Sequence, residues 1–285
     1  SSDVCSSDLT KVYNLILNGT SLTLNGESAR PDSLELTAAD IKVLGVTLPE
    51  GASAVELLND IIDTKATIGL VNSTAKLQAF AALVKEVMDL ANDVAGASSI
   101  TRSEFTSTSA PSLGLSTTEV TNDSLSAVNA AIKAKTPTDV DTVDELRAIA
   151  VAARDAQTKI TTYAGDKADN SAPTPGETGA PTQADFEAMG VQGVRSTADA
   201  GKPANLAAVL AALATDVVTS AKTASASLVQ GIVDSYNKIL GLADGTPDNT
   251  TDAAATPVAT DYANIGLAAA SVTQLGDARD RKSVV

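Results

Sequence analysis

One phrase recurs along the chain, and it constrains the fold before any local argument. An acidic residue, then a large apolar residue, leads to a glycine with an aliphatic neighbour. Asp40-Ile41 leads to Gly45-Val46, Glu104-Phe105 to Gly114-Leu115, Asp185-Phe186 to Gly190-Val191, and Asp261-Tyr262 to Gly266-Leu267. Gly114, Gly190 and Gly266 stand 76 residues apart, and Gly45 precedes Gly114 by 69. Self-similarity at such a period marks an array of like units. Arrays space, present or bind, whereas an enzyme seldom needs near-copies of one unit in a row.

Between the phrases the apolar spacing is three or four, the signature of helices and not of strands. A medium helix is predicted around Val55, Leu58, Ile61 and Ile62, again around Leu125, Val128 and Ile132, and again around Leu206, Val209, Leu210 and Leu213. A longer helix follows each time. It is marked by Leu77, Phe80, Val84, Val87 and Met88, then Leu146, Ile149, Ala153 and Ile160, then Val229, Ile232, Val233, Tyr236, Ile239 and Leu240. The phrase itself reads as a short helix. Thr37 and Thr182 stand at its start as caps, Val258 takes that place in the fourth copy, and the glycine ends it in a left-handed conformation. Asp123 and Asn205 stand near helix starts, where capping residues belong.

The expected fold is therefore all-α: tandem three-helix units of about 70–80 residues joined by Pro-, Thr- and Asp-rich linkers. Unit 1 covers 34–97, unit 2 covers 98–166, a linker 167–179, and unit 3 180–245. Residues 246–285 hold a further linker and a truncated unit 4. Residues 1–33 hold the tail of a preceding unit, because Tyr13-Asn14-Leu15-Ile16-Leu17 is a twin of Tyr236-Asn237-Lys238-Ile239-Leu240. Ser1–Leu9 and Asp280–Val285 match nothing in the repeats and resemble translated sequencing-adapter scars. The chain thus reads as a fragment, and Cys5 lies in one scar. The linkers Ala164–Ala180 and Ala243–Pro257 are poor in apolar residues and suggest semi-independent units. On that basis residues 180–245 should fold alone, copy two should be the weakest, and the fourth copy should be disordered or merely docked.

The anchors of the array are Ile41, Gly45, Phe105, Gly114, Phe186, Gly190, Tyr262, Gly266 and Tyr236. Apolar residues make up 44% of the chain, yet it has four Tyr, three Phe and no Trp, so each ring should matter to a core. Phe186 and Tyr262 are expected to be buried and equivalent, with Phe105 following them.

Chemistry finds little purchase. Without a histidine there is no imidazole base and no Ser-His pair. The recurring carboxylates Asp40, Glu104, Asp185 and Asp261 read as first-turn residues favoured by the helix dipole. The cluster Asp139, Asp141, Asp144 and Glu145 suggests calcium, but it lacks the EF-hand glycine and closing Glu. Thr142 with Glu145 fits a capping box better. Asp244–Asp252 reads as a turn-rich linker. We expect no catalytic, cofactor-binding or metal-binding residue, and little effect of calcium on folding. A net charge of −15 disfavours nucleic acid as a partner, and no run is long enough to span a membrane.

The phrases Pro181-Thr182-Gln183-Ala184-Asp185-Phe186, Gly190-Val191, Asn205-Leu206 and Tyr236 to Gly245 resemble repeat regions of large Gram-negative surface or secreted adhesins, of the RTX and biofilm-associated type that also carry Ig-like domains. The resemblance implies an extracellular or cell-surface location and a non-catalytic stalk, spacer or weak adhesive module. The implied partner is a host or matrix surface protein or glycan. The alternative is a set of three-helix modules gripping such a protein through one helix face. An apolar face repeated in every unit would favour that alternative.

Overall fold

A computed structural model describes residues 35–64, 74–108, 111–165, 179–199, 202–242 and 257–267. The expected scars, the Tyr13–Leu17 segment and the Asp244–Asp252 linker lie outside these residues. The described chain is all-α, with ten α-helices and two 3₁₀ turns. In order they are α1 (Ala38–Val43), α2 (Ala52–Thr64), α3 (Thr74–Ala91), α4 (Arg102–Thr106), α5 (Leu125–Lys133), α6 (Val143–Gly165), α7 (Gln183–Ala188), α8 (Leu206–Leu213), α9 (Ala226–Leu242) and α10 (Ala259–Asn264). The 3₁₀ turns are Pro137–Asp139 and Ser220–Thr223.

The chain forms two compact units, 1–151 and 152–285, and the division falls inside α6. In the first, α2 packs on α3 and α3 on α5. The aliphatic stripes supply its core: Leu58, Ile61 and Ile62 from α2, Phe80 and Val84 from α3, Val128 and Ile132 from α5, all essentially inaccessible. Asp60 of α2 accepts from the Val143 N–H, the first of α6, at 2.6 Å. Copies one and two are therefore not separate beads. Helices of one copy form part of the core of the next, and a side chain of the first satisfies a helix-end donor of the second.

In the second unit α8 packs on α9, and α9 on both the Ser220–Thr223 turn and α10. Phe186, Val209, Leu210, Leu213, Val229 and Val233 are fully buried. The C-terminal half of α6 belongs here. Its Gln157 side chain donates to Thr223 O at 2.6 Å, and Ile160 and Ala164 are fully buried. The expected linker from Ala164 thus begins too early. An Ala-rich helix continues as long as one face is covered, and Ala has the highest helix propensity.

Candidate functional site

The recurring phrase builds one structural element four times. Its start is a capping box. Asp40 accepts from the Thr37 N–H at 3.0 Å, Glu104 from the Thr101 N–H at 2.6 Å and Asp185 from the Thr182 N–H at 2.6 Å, while each Thr hydroxyl oxygen accepts from the N–H of its acid. Two end-of-helix donors are satisfied reciprocally each time. In the fourth copy Val258 has no side-chain acceptor, so only half of the box remains, with Asp261 accepting from the Val258 N–H at 2.8 Å.

In copies one, three and four its end is a Schellman closure. Gly45, Gly114, Gly190 and Gly266 have φ of 70° to 92°. The following amide reaches back to the anchor carbonyl: Val46 to Ile41, Leu115 to Phe105, Val191 to Phe186 and Leu267 to Tyr262, at 2.9–3.1 Å. In copy two the Leu115 N–H reaches Phe105 O across the insertion, and Ser112 Oγ donates to Ser107 O at 2.6 Å. The spacing from Phe105 to Gly114 changes and α4 ends in an extended Ser107, yet the bond from the aliphatic neighbour to the anchor is kept.

Two side-chain clamps join this short helix to the rest of its copy, and neither was apparent from the sequence. The first reaches the residue before the cap. Asn59 of α2 accepts from Leu36 N and donates to Leu36 O, both at 2.9 Å. Asn129 of α5 does the same to Ile100, at 2.7 and 2.9 Å. In copy three that position is Pro181, which has no N–H. The helix residue equivalent to Asn59 and Asn129 is there Leu210. The second clamp reaches the residue after the aliphatic neighbour. Gln78 accepts from Thr47 N at 2.7 Å and donates to Thr47 O at 3.1 Å; Gln230 does so for Gln192 at 2.8 and 3.1 Å. In copy two the equivalent residue is Arg147. It pairs with Glu119 at 3.1 Å, and Glu119 accepts from Ser116 N at 2.5 Å.

The carboxylate of the box also faces the long helix of the preceding copy. Asp185 pairs with Lys159 at 2.7 Å. Burial pushes the Asp185 carboxyl up, but the Lys159 ammonium and the Thr182 N–H and hydroxyl outweigh it and hold it below the ordinary aspartate value. Asp261, itself buried, lies 3.1 Å from both Lys238 Nζ and Ser235 Oγ. Burial again opposes ionisation and is outweighed by the Val258 N–H, Lys238 and Ser235. In copy two the partner has the wrong sign. Burial first, then the charges of Glu104 and Asp89, raise the Glu86 carboxyl above its ordinary value.

Of the anchors, Ile41, Phe105 and Phe186 are buried, but Tyr262 and Tyr236 are only half-buried. Tyr262 is therefore not the equivalent of Phe186 in burial, because the helices that cover Phe186 have no counterpart around Tyr262 among the described residues. Asn205 precedes α8 yet makes no side-chain cap. Its buried amide accepts from Arg195 N at 2.6 Å and donates to Gly193 O at 2.8 Å, tying down the loop ahead of α8. Ser124, not Asp123, occupies the cap position of α5.

Of the acidic cluster at 139–145, Asp139 and Glu145 are committed to helix ends. Asp139 accepts from Thr136 Oγ1 and N, which hold its carboxyl low. Glu145 and Thr142 exchange bonds at 3.2 Å, and Asp144 pairs with Arg147. Among the described residues no group of three or more Cys, Asp or Glu is placed to hold a metal ion, and no helix is long and apolar enough to cross a membrane. Compared with family models, curated proteins and solved structures, the chain matches none.

Proposed function

We propose that the chain is a non-catalytic segment of a repetitive surface or secreted adhesin, serving as a stalk or spacer. The observation that carries the reading is the joint itself. The same capped short helix is built four times, and in copies three and four its carboxylate is tied to a Lys of the preceding long helix. A side chain committed to a helix start at every repeat, and to an ion pair with the preceding helix in two of them, serves continuity along an array. The adhesin setting and the extracellular location rest on the resemblance of the phrases. A host or matrix protein or glycan at the far end of the array belongs to the same proposal.

The alternative of ligand-gripping modules calls for an apolar face repeated in each unit. The exposed large apolar residues among those described are Val43, Val94, Val217, Leu228, Val258 and Leu267. Leu228 corresponds to Lys76 and Glu145 in the other long helices, so no shared face exists there. The spacer reading is tested by the length of tandem fusions of the chain, measured by X-ray scattering. Length rising in proportion to copy number supports it; collapse into a compact body rejects it.

A further inference from the structure

The inner face of α10 differs from its three counterparts. Tyr262, Ile265 and Leu267 stand where Ile41, Leu44 and Val46 stand in copy one, and where Phe186, Met189 and Val191 stand in copy three. All six of those residues are buried, as are Phe105, Leu113 and Leu115 in copy two. Leu267 is 44% exposed, and Tyr262 and Ile265 are half-buried. The outer side of α10 is already seated on α9 through Asp261, Ser235, Lys238 and Asn264. Pro257 and Asp261 at the start of the joint are buried, whereas its far end, at Leu267, keeps exposed surface.

The other copies show what closes it. A second helix supports the residue before the cap, and a third helix clamps the residue after the aliphatic neighbour. The identity of the residue before the cap selects the second helix. Leu36 and Ile100 offer an N–H and meet Asn. Pro181 offers none and meets a helix with Leu210 in that place. Pro257 is of the second kind, so an Asn there would leave its carbonyl oxygen buried without a donor. The third helix clamps through Gln in copies one and three and through Arg147 in copy two.

We infer that the open face of α10 docks a helix pair of the α8–α9 type, supplied by a further unit of the same array, with an aliphatic residue at the Leu210 position and Gln at the Gln230 position. This inference rests on the array reading above. A pair of the α2–α3 type, carrying Asn, fits this face worse.

The test appends a second copy of residues 192–242 directly after Leu267 and follows hydrogen exchange at the Leu267 amide, which donates to Tyr262 O. Exchange should slow by about tenfold or more, since protection follows the free energy of local opening. Leu→Asn at the appended Leu210 position should remove most of that gain, and Asp at the appended Val209, Leu210 and Leu213 positions all of it. Unchanged exchange, with or without a gain of helix in the circular dichroism, overturns the inference. Equal slowing by the Asp-bearing copy overturns it too. Scattering lengths of tandem fusions of the starting chain, which lack the added pair, test the spacer reading separately.

Discussion

At the residue scale, the pairing of a missing donor with a missing acceptor is the most informative feature. Asn59 lies in the apolar stripe of α2 and is 5% exposed, a placement tolerable only because both ends of its amide are bonded. Asn59→Leu should destabilise the first unit by about 1–3 kcal/mol, the cost of orphaning a buried N–H and C=O. Combining it with Leu36→Pro removes the donor as well and reproduces the Pro181–Leu210 arrangement. In urea melts the double variant should lose less than the sum of the two singles; strict additivity would show that the clamp is incidental. Glycine provides a second contrast. A Cβ at Gly45 would meet nothing within 4 Å, whereas at Gly266 it would fall 2.0 Å from Thr215 Oγ1. Gly45→Ala therefore carries mainly the left-handed penalty of about 1–2 kcal/mol. Gly266→Ala should in addition unseat α10, visible as faster exchange across 261–267. Equal, mild effects of the two changes would contradict the close packing at Gly266.

At the element scale, the short helices are stabilised by what they bury and by what their carboxylates face. Phe186 is fully buried, and Phe186→Ala should cost about 3–5 kcal/mol in the second unit; a loss under about 1 kcal/mol would remove its role as an anchor. Asp185 and Asp261 have folded-state pKa values below the ordinary aspartate range. The stability they contribute is thus full at neutral pH and is lost as pH falls below about 4, through the folded values. Asp185→Asn should lower the melting temperature at pH 7 and flatten the acid limb of the curve. Glu86 has the opposite sign: its raised pKa means that ionisation costs stability, and the cost is relieved as pH falls. Glu86→Gln should stabilise the first unit by about 0.5 kcal/mol at low ionic strength, and salt should remove the part of the gain due to Glu104 and Asp89. The left-handed glycines, the Thr caps and the helical stripes were legible in the sequence because each depends on residues within one or two turns. The Asn and Gln clamps were not. Asn59 and Asn129 bond residues 23 and 29 positions away, and a polar residue within an apolar stripe does not name its partner. Nor did the ring of Tyr262 disclose that it would be half-exposed, since its own phrase matches those of Phe105 and Phe186.

At the scale of the whole molecule, the question is which segments fold alone. Sequence periodicity places a boundary near residue 166, where composition turns to Pro, Gly and Asp. The compact units divide within α6 instead, because an amphipathic helix can give one stretch of its face to each core without any change in composition. Residues 180–245 lack the α6 residues that complete their surroundings. Lys159 is gone from Asp185, Gln157 and Thr161 from Thr223 O, and fully buried Ile160 and Ala164 are missing from the core. Removing Ile160 alone withholds apolar burial of about 1.5–3 kcal/mol, a large fraction of what a unit of that size can muster. Residues 152–267 restore these contacts and keep α10 on α9. We therefore expect 152–267 to melt in one cooperative step as an isolated fragment, and 180–245 to be much less stable or unfolded at 25 °C. The same logic holds in the first unit, where 35–151 should outlast 35–97, because Val128 and Ile132 of α5 share its core and Asp60 holds the start of α6. Matched urea midpoints for the long and short fragments of either unit would restore the picture of independent beads. A midpoint shift confined to the short fragments would show that each copy borrows a helix from its neighbour to complete its core.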